Sequence, residues 1–270
     1  MSNESAIGVF DSGLGGLCAV RALAELLPHE NIIYFGDTGR VPYGSKSRET
    51  IRKYTVQDTR FLLSHGVKAI LAACGTVSSN ALEYIEAMTD IPVFGVVEDA
   101  AREAYMSSSS KQIGIIGTQA TVSSGIFKSK IEAMDSTASV IQKACPLFVP
   151  LVEYGFAAAD DEITVLACKR YLSDFKGKID TLVLGCTHFP ILERTISNTL
   201  ADVTLINPAK EAARAMAKAL SEKGLLSERN EKGVIQYFVS DEPTRFNAEG
   251  KIFLGKDFEI DARKIEIEKF

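Results

Sequence analysis

Apolar residues come along this chain in two alternating forms. Short runs rich in β-branched and aromatic residues, IGVF at 7–10, NIIYF at 31–35, VKAILAA at 67–73 and IPVFGVV at 91–97, are each followed by a stretch of helical length. Those stretches, LCAVRALAELL, SRETIRKYTVQDTRFLLSHG, TVSSNALEYIEAM and EDAAREAYM, repeat their apolar positions every three or four residues. A strand and then a helix, repeated, predicts βαβ units and a mainly parallel sheet covered by helices. After SSSSK at 107–111, which reads as an exposed loop, the rhythm restarts with QIGIIGT, IFKSKIEAM, ASVIQKA, EITVLACKRYLSDF, IDTLVLG, ILERTISNTL and VTLI.

The restart reads as an internal duplication. IGVFDSG at 7–13 aligns with IGIIGTQ at 113–119, an offset of 113 − 7 = 106, and KAILAACGT at 68–76 aligns with DTLVLGCTH at 180–188. The second pair places Cys186 at 186 − 74 = 112 residues after Cys74. The pattern predicts an α/β protein of two similar Rossmann-like lobes, related by a pseudo-two-fold axis, with the active site in the cleft between them. NPAKEAARAMAKALSEKG and VIQYFVSDEPTRFNAEGKIFLG add a helix, a strand and a closing segment expected to pack on the first lobe. The expected lobes are residues 1–98 with 208–270, and residues 99–207. No stretch reads as a flexible linker.

Composition narrows the classes. An apolar content of 46% over 270 residues is ample for a packed core. No apolar run approaches the roughly eighteen residues of a membrane span, and MSNESAIGVF lacks a basic n-region and a cleavage site, so a cytoplasmic protein is expected. Thirty basic against thirty-five acidic residues, a net charge of −5 and no basic cluster exclude a nucleic-acid footprint. Five cysteines without a CxxC pair, with only three histidines, argue against a disulfide framework and a zinc site. Cys18 and Cys168 lie in helical patterns and Cys145 precedes Pro146, so these three read as small apolar packers. His29 and His65 fall in helix-to-strand connections and read as surface residues.

Cys74 and Cys186 differ from the others. Ligands of open α/β sheets bind beyond the carboxyl ends of the strands, and each of these cysteines follows an apolar strand and precedes a Thr able to cap a helix. A helix N-terminus lowers a thiol's pKa and readies it as a thiolate, and the pair is expected to hold one proton between them, with neighbouring groups assisting. Either one alone would pass as a strand-end packer, but a duplicated pair in equivalent loops points to chemistry. Facing each other across a cleft, two thiols suit a two-base proton transfer in which one removes a proton from carbon and the other returns one to the opposite face. Asp11, at the end of the first strand, can accept a thiol proton, or simply form the turn. His188, two residues past Cys186, can relay a proton, with Glu153 in the loop FVPLVEYG as its orienter or as a solvated acid.

The turns SGLGG, GTVSS, GTQAT and CTH offer N–H groups and hydroxyls that favour a small carboxylate, with Ser12, Thr76, Thr118, Thr121 and Thr187 around it. GDTGRVPYGSKS at 36–47, carrying Pro42, Tyr43 and Gly44, is suited to covering the cleft or is an ordinary connection. GLGG is not a dinucleotide fingerprint, because GxGxxG is lacking and no acid follows at the ribose position.

Taken together, VFDSGLGG, YFGDTGRVPYGSKS, the AAC-x-T segment, IGIIGTQATV, CPLFVPLVEYG, LGCTHFPIL and YFVSDEPTRF resemble glutamate racemase over nearly the whole chain. The resemblance implies a cofactor-independent isomerase that supplies D-glutamate for peptidoglycan. It places catalytic roles on Cys74, Cys186, Asp11, Glu153 and His188, with Cys74 taking the proton from D-glutamate and Cys186 from L-glutamate. Substrate contacts would fall on Asp11, Ser12, Pro42, Tyr43, Gly44, Gly75, Thr76, Thr118, Thr121 and Thr187. It further implies no metal and a homodimer. The segment before IGVF is too short for the extension with which some members bind a nucleotide-sugar activator, so none is expected. Two positions depart from the family. Gly75 stands where Asn is usual, removing a hydrogen bond worth about 1–2 kcal/mol, and Asn207 replaces a common acid but is a good N-cap. A relative acting on aspartate or another small acid, and a two-lobed binding protein with incidental cysteines, are the competing readings.

Overall fold

The computed structural model describes residues 3–270. Its ten strands fall into two sheets. β1 (Ile7–Asp11), β2 (Ile32–Gly36), β3 (Ala69–Ala72) and β4 (Val93–Gly95) join β9 (Ile235–Val239) and β10 (Ala262–Lys264) in the order β10-β9-β2-β1-β3-β4. β5 (Gln112–Gly117), β6 (Ser139–Ala144), β7 (Thr181–Gly185) and β8 (Thr204–Ile206) form the second sheet in the order β6-β5-β7-β8. Every pairing is parallel. β1, β2, β3 and β7 are buried throughout, which is why they read as unbroken apolar runs: helices cover both faces.

The duplication is written into the registers. Ile7 pairs with Ala69 in the first sheet and Ile113 pairs with Thr181 in the second, reproducing offsets of 113 − 7 = 106 and 181 − 69 = 112. The four-strand order β2-β1-β3-β4 thus recurs as β6-β5-β7-β8. One apolar cluster runs through both sheets, from Ile7 and Leu14 to Phe148 and Leu184. Separate clusters fill the far faces, one around Phe10 and Phe61, the other around Ile113 and Phe127.

The helix Pro208–Glu222 sits across the junction. It buries Ala209, Ala212, Ala213, Met216 and Leu220 along one stripe and packs on both Leu17–Leu26 and Glu98–Ser107. Asn207 caps it by accepting the Ala209 N–H at 3.1 Å, so the missing acid costs no cap.

Three local expectations change. TVSSNALEYIEAM is two helices, Gly75–Asn80 and Leu82–Glu86, because Ala81 leaves helical geometry at φ −147°. Glu153 closes the helix Phe148–Glu153 instead of lying in a loop. Ser108 in the serine run is buried and donates to Asp180 Oδ1, while the Ser110 N–H donates to Oδ2 at 2.6 Å, so Asp180 ties that run to the start of β7. The same donors outweigh burial and hold the Asp180 carboxyl down at about 2. His29 and His65 are exposed, as their positions in the sequence suggest, and Cys145 and Cys168 are buried.

Candidate active site

The strand ends of both sheets converge on the two cysteines. Cys74 follows β3 and is the boundary residue of the helix Gly75–Asn80; the N–H groups of Thr76 and Val77 point at its sulfur, which lies 3.9 Å from Ser12 Oγ. Cys186 directly follows β7 and receives the His188 N–H and the Thr187 hydroxyl. These donors favour a thiolate, yet burial outweighs them. Burial and the Asp11 charge push the Cys74 thiol up to about 12. At Cys186 burial acts with the neighbouring Cys74 and Asp11 to push the thiol well above its ordinary value. The lowering expected from the helix start is therefore not seen: burial favours the neutral thiol at both positions. Neither Thr supplies the expected cap. Thr76 lies within its helix, and Thr187 leads only into the single 3₁₀ turn Phe189–Leu192.

Asp11 does two things. Its Oδ2 accepts the N–H groups of Gly13 at 3.1 Å and Gly16 at 3.0 Å, holding the SGLGG turn, while its buried Oδ1 has no hydrogen-bond partner. Complete burial raises its carboxyl, offset in part by the His188 charge and the N–H groups of Gly16, Gly13 and Ser12. Two glycines of the turn, Gly15 and Gly16, are required by close approach. A Cβ on Gly15 would stand 2.2 Å from Thr187 Oγ1 and 2.6 Å from His188 Nδ1, and one on Gly16 would stand 2.4 Å from Asp11 Cβ.

On the other side, His188 is buried, its Nε2 3.0 Å from Glu153 Oε1 and its Nδ1 3.4 Å from Thr187 Oγ1. Burial raises the Glu153 carboxyl, but the His188 hydrogen bond and charge, with Arg245, outweigh it and leave the group below its usual range. Glu153, His188, Thr187 and Cys186 thus form one chain of polar contacts.

The two halves also meet directly. Thr76 Oγ1 and Thr118 Oγ1 are 3.0 Å apart, and Thr118 reaches Thr121 Oγ1 at 3.0 Å. Gly44 lies against Thr118, where an added Cβ would come within 2.6 Å. A Cβ on Gly75 would stand 2.5 Å from the Gly185 carbonyl oxygen, so the backbones of the two cysteine loops are in contact. Tyr43 is buried but its hydroxyl turns to Asp37 and Asp58, and Pro42 is exposed.

Sequence reasoning passed over Asp37, Arg40, Asp58 and Ser240, which surround the Tyr43 hydroxyl. One signal existed: Asp58 falls on the apolar stripe of its helix, with Ile51, Thr55 and Leu62. A cavity of about 890 Å³ opens on the far side of Gly44, lined also by Lys46, Arg48, Ser79, Glu98 and Lys130 and by neither Cys74 nor Cys186. Among the described residues no group of three or more His, Cys, Asp or Glu side chains is arranged to hold a metal ion. Among them, too, no helix is long and apolar enough to cross a membrane.

The family described as Asp/Glu/Hydantoin racemase matches residues 18–216. The chain belongs to that family. It is a racemase, and similar proteins match it over most of their length. A glutamate racemase of Chlorobaculum tepidum is 47% identical over 260 residues, 95% of each chain. Among solved structures, the glutamate racemase of Francisella tularensis in complex with D-glutamate superposes with a TM-score of 0.93 at 36% identity, covering 99% of this chain and 100% of that one. That of Thermus thermophilus in complex with β-chloro-D-alanine gives 0.90 at 40% identity, covering 100% of both.

Proposed function

We propose that this racemase interconverts L- and D-glutamate by proton transfer between Cys74 and Cys186, without a cofactor. The observation that carries the reading is the pair of buried thiols at equivalent strand ends, with an unpartnered carboxylate oxygen on Asp11 beside them. Because burial favours the thiol form of both groups, one proton must leave before the substrate's α-proton is taken. Asp11 serves Cys74 as the acceptor, and the His188–Glu153 pair serves Cys186. The substrate ammonium adds positive charge to a water-poor site and so favours the thiolate that forms.

With D-glutamate, Cys74 thiolate takes the α-proton and the Cys186 thiol gives its proton to the opposite face. The product is L-glutamate, with Cys74 as thiol and Cys186 as thiolate; the reverse direction exchanges the roles. Ser12, Thr76, Thr118, Thr121 and Thr187, with the N–H groups around them, hold the carboxylates, and the Pro42–Gly44 stretch closes over the site. The functional unit is a pair of lobes, residues 1–98 with 208–270 and residues 99–207, in a cytoplasmic homodimer supplying D-glutamate for peptidoglycan.

The test is racemization of either enantiomer in deuterated water. Loss of optical rotation with one deuterium incorporated at the α-carbon is expected; absence of both would refute the reading. The same assay on aspartate separates glutamate from smaller acids.

A further inference from the structure

Tyr43 carries one hydroxyl proton but faces two carboxyl groups. Its oxygen makes a short contact with Asp37 Oδ2 and lies 2.9 Å from Asp58 Oδ2. Asp37 is fully supplied with donors: Arg40 Nε reaches Oδ2 at 2.6 Å and Ser240 Oγ reaches Oδ1 at 2.7 Å. Asp58 receives Arg40 Nη2 on Oδ1 at 3.0 Å, which leaves Oδ2 facing a phenol oxygen that has a single proton for two carboxyl groups. Two such contacts need a second proton, and Asp58 Oδ2, which has no other hydrogen-bond partner, is the oxygen best placed to hold it. Charge gives the same answer. Asp37 and Asp58 are both 0% exposed and share a single guanidinium, so ionising both would bury a net negative charge.

We propose that Asp58 is held as a neutral carboxylic acid that donates to Tyr43, which donates to Asp37, and that this relay positions the 37–47 loop over the site. It is a positioning role, and its consequence for substrate rests on the glutamate reading above. Tyr43 is followed by Gly44, whose backbone lies against Thr118, and Thr118 joins Thr76 and Thr121. Pinning Tyr43 therefore fixes where the loop meets the other half of the site. The groups facing Asp58 are Asp37 and Arg40 from the segment after β2, Tyr43 from the turn beyond it, and Asp11 at the end of β1. On its own helix, Gln57 takes Arg40 Nη1 at 2.6 Å and the Tyr54 ring stacks under the guanidinium. Burial, then the Asp37 charge, hold the Asp58 carboxyl well above the usual range, in keeping with the hydrogen-bond count.

The experiment is infrared spectroscopy of the intact protein, with kinetics beside it. At neutral pH the wild type is expected to show a protonated-carboxyl carbonyl band that vanishes in Asp58→Asn and shifts in Tyr43→Phe, where its acceptor is gone. If Asp58→Asn does not fold, the Tyr43→Phe shift decides alone. Asp58→Asn keeps a donor toward Tyr43 and an acceptor for Arg40, so its KM should stay at the wild-type value. Asp58→Ala should raise KM about tenfold, the scale of one lost hydrogen bond, with a smaller effect on kcat. Wild-type KM should climb at alkaline pH and that of Asp58→Asn should not. A wild type without the band, or Asp58→Asn as impaired as Asp58→Ala, would overturn the proposal. The spectroscopic readout needs no substrate, so it stands or falls separately from the glutamate assignment.

Discussion

Gly75→Ala tests whether the contact between the two cysteine loops matters. The added methyl would stand 2.5 Å from the Gly185 carbonyl oxygen and 3.3 Å from its carbon, against ordinary contact beginning at 3.4 Å. Relief therefore needs 3.4 − 2.5, about 0.9 Å of movement, and the obstacle is backbone that no rotamer change can clear. Gly185 ends β7 and precedes Cys186, so the displacement passes straight to a sulfur that the proposed reaction uses. Overpacking of this kind costs about 1–3 kcal/mol of stability, which for a chain of this size lowers Tm by roughly 2–5 °C. A misplacement near 1 Å costs about a hundredfold in rate, so the activity loss should exceed the stability loss. Thermal unfolding and racemization assays read the two separately. Gly66→Ala is the control: its φ of +66° strains a side chain but nothing lies within 4 Å. It should cost about 1 kcal/mol and leave activity untouched. Unchanged Tm and kcat in Gly75→Ala would show that the loops are not held against each other. Gly75→Asn should fare no better, because its Cβ meets the same carbonyl.

Three further outcomes follow from the site. Cys74→Ala and Cys186→Ala should each abolish racemization measured by polarimetry while leaving unfolding temperature within a few degrees; full activity in either would remove that thiol from the reaction. With its thiol pushed up to about 12, Cys74 should alkylate much more slowly than a free thiol at neutral pH, quickening as pH rises; labelling of the free enzyme as fast as a free thiol, followed by mass spectrometry, would contradict this. Glu153 is held below its ordinary 4.5, so its contribution to stability is present above the unfolded value and is lost as pH falls through the folded one. Unfolding of Glu153→Gln across that window should accordingly be less acid-sensitive than wild type, and an identical acid profile would refute the pairing with His188.

Fold and site differ in how far the sequence carries them. Strand and helix alternation, both duplication offsets and the position of Cys74, Cys186, Asp11 and His188 at strand ends follow from periodicity and local spacing, which are short-range properties. The Ala81 break and the tie between Asp180 and the serine run were hidden because they depend on what packs around them. The protonation state of the thiols misled for a related reason. Spacing shows the N–H donors at a helix start, but not how much water the rest of the fold excludes, and here exclusion wins. Asp58 was visible only as a polar residue in an apolar stripe, without the loop residues that explain it.

The matched registers of the two half-sheets carry one last consequence. Superposing β1 on β5 and β3 on β7 sets Cys74 on Cys186, but Asp11 falls on Gly117, Gly75 on Thr187 and Thr76 on His188. The repeat keeps the sulfurs and discards the identity of everything that assists them. Mirror-image substrates have equal free energies in water, yet a chain of L-residues can never present mirror-image surroundings to their two faces. A perfect repeat would have bought no equality between the two directions, so a carboxylate could settle at one thiol and an imidazole at the other without biasing the equilibrium between the enantiomers.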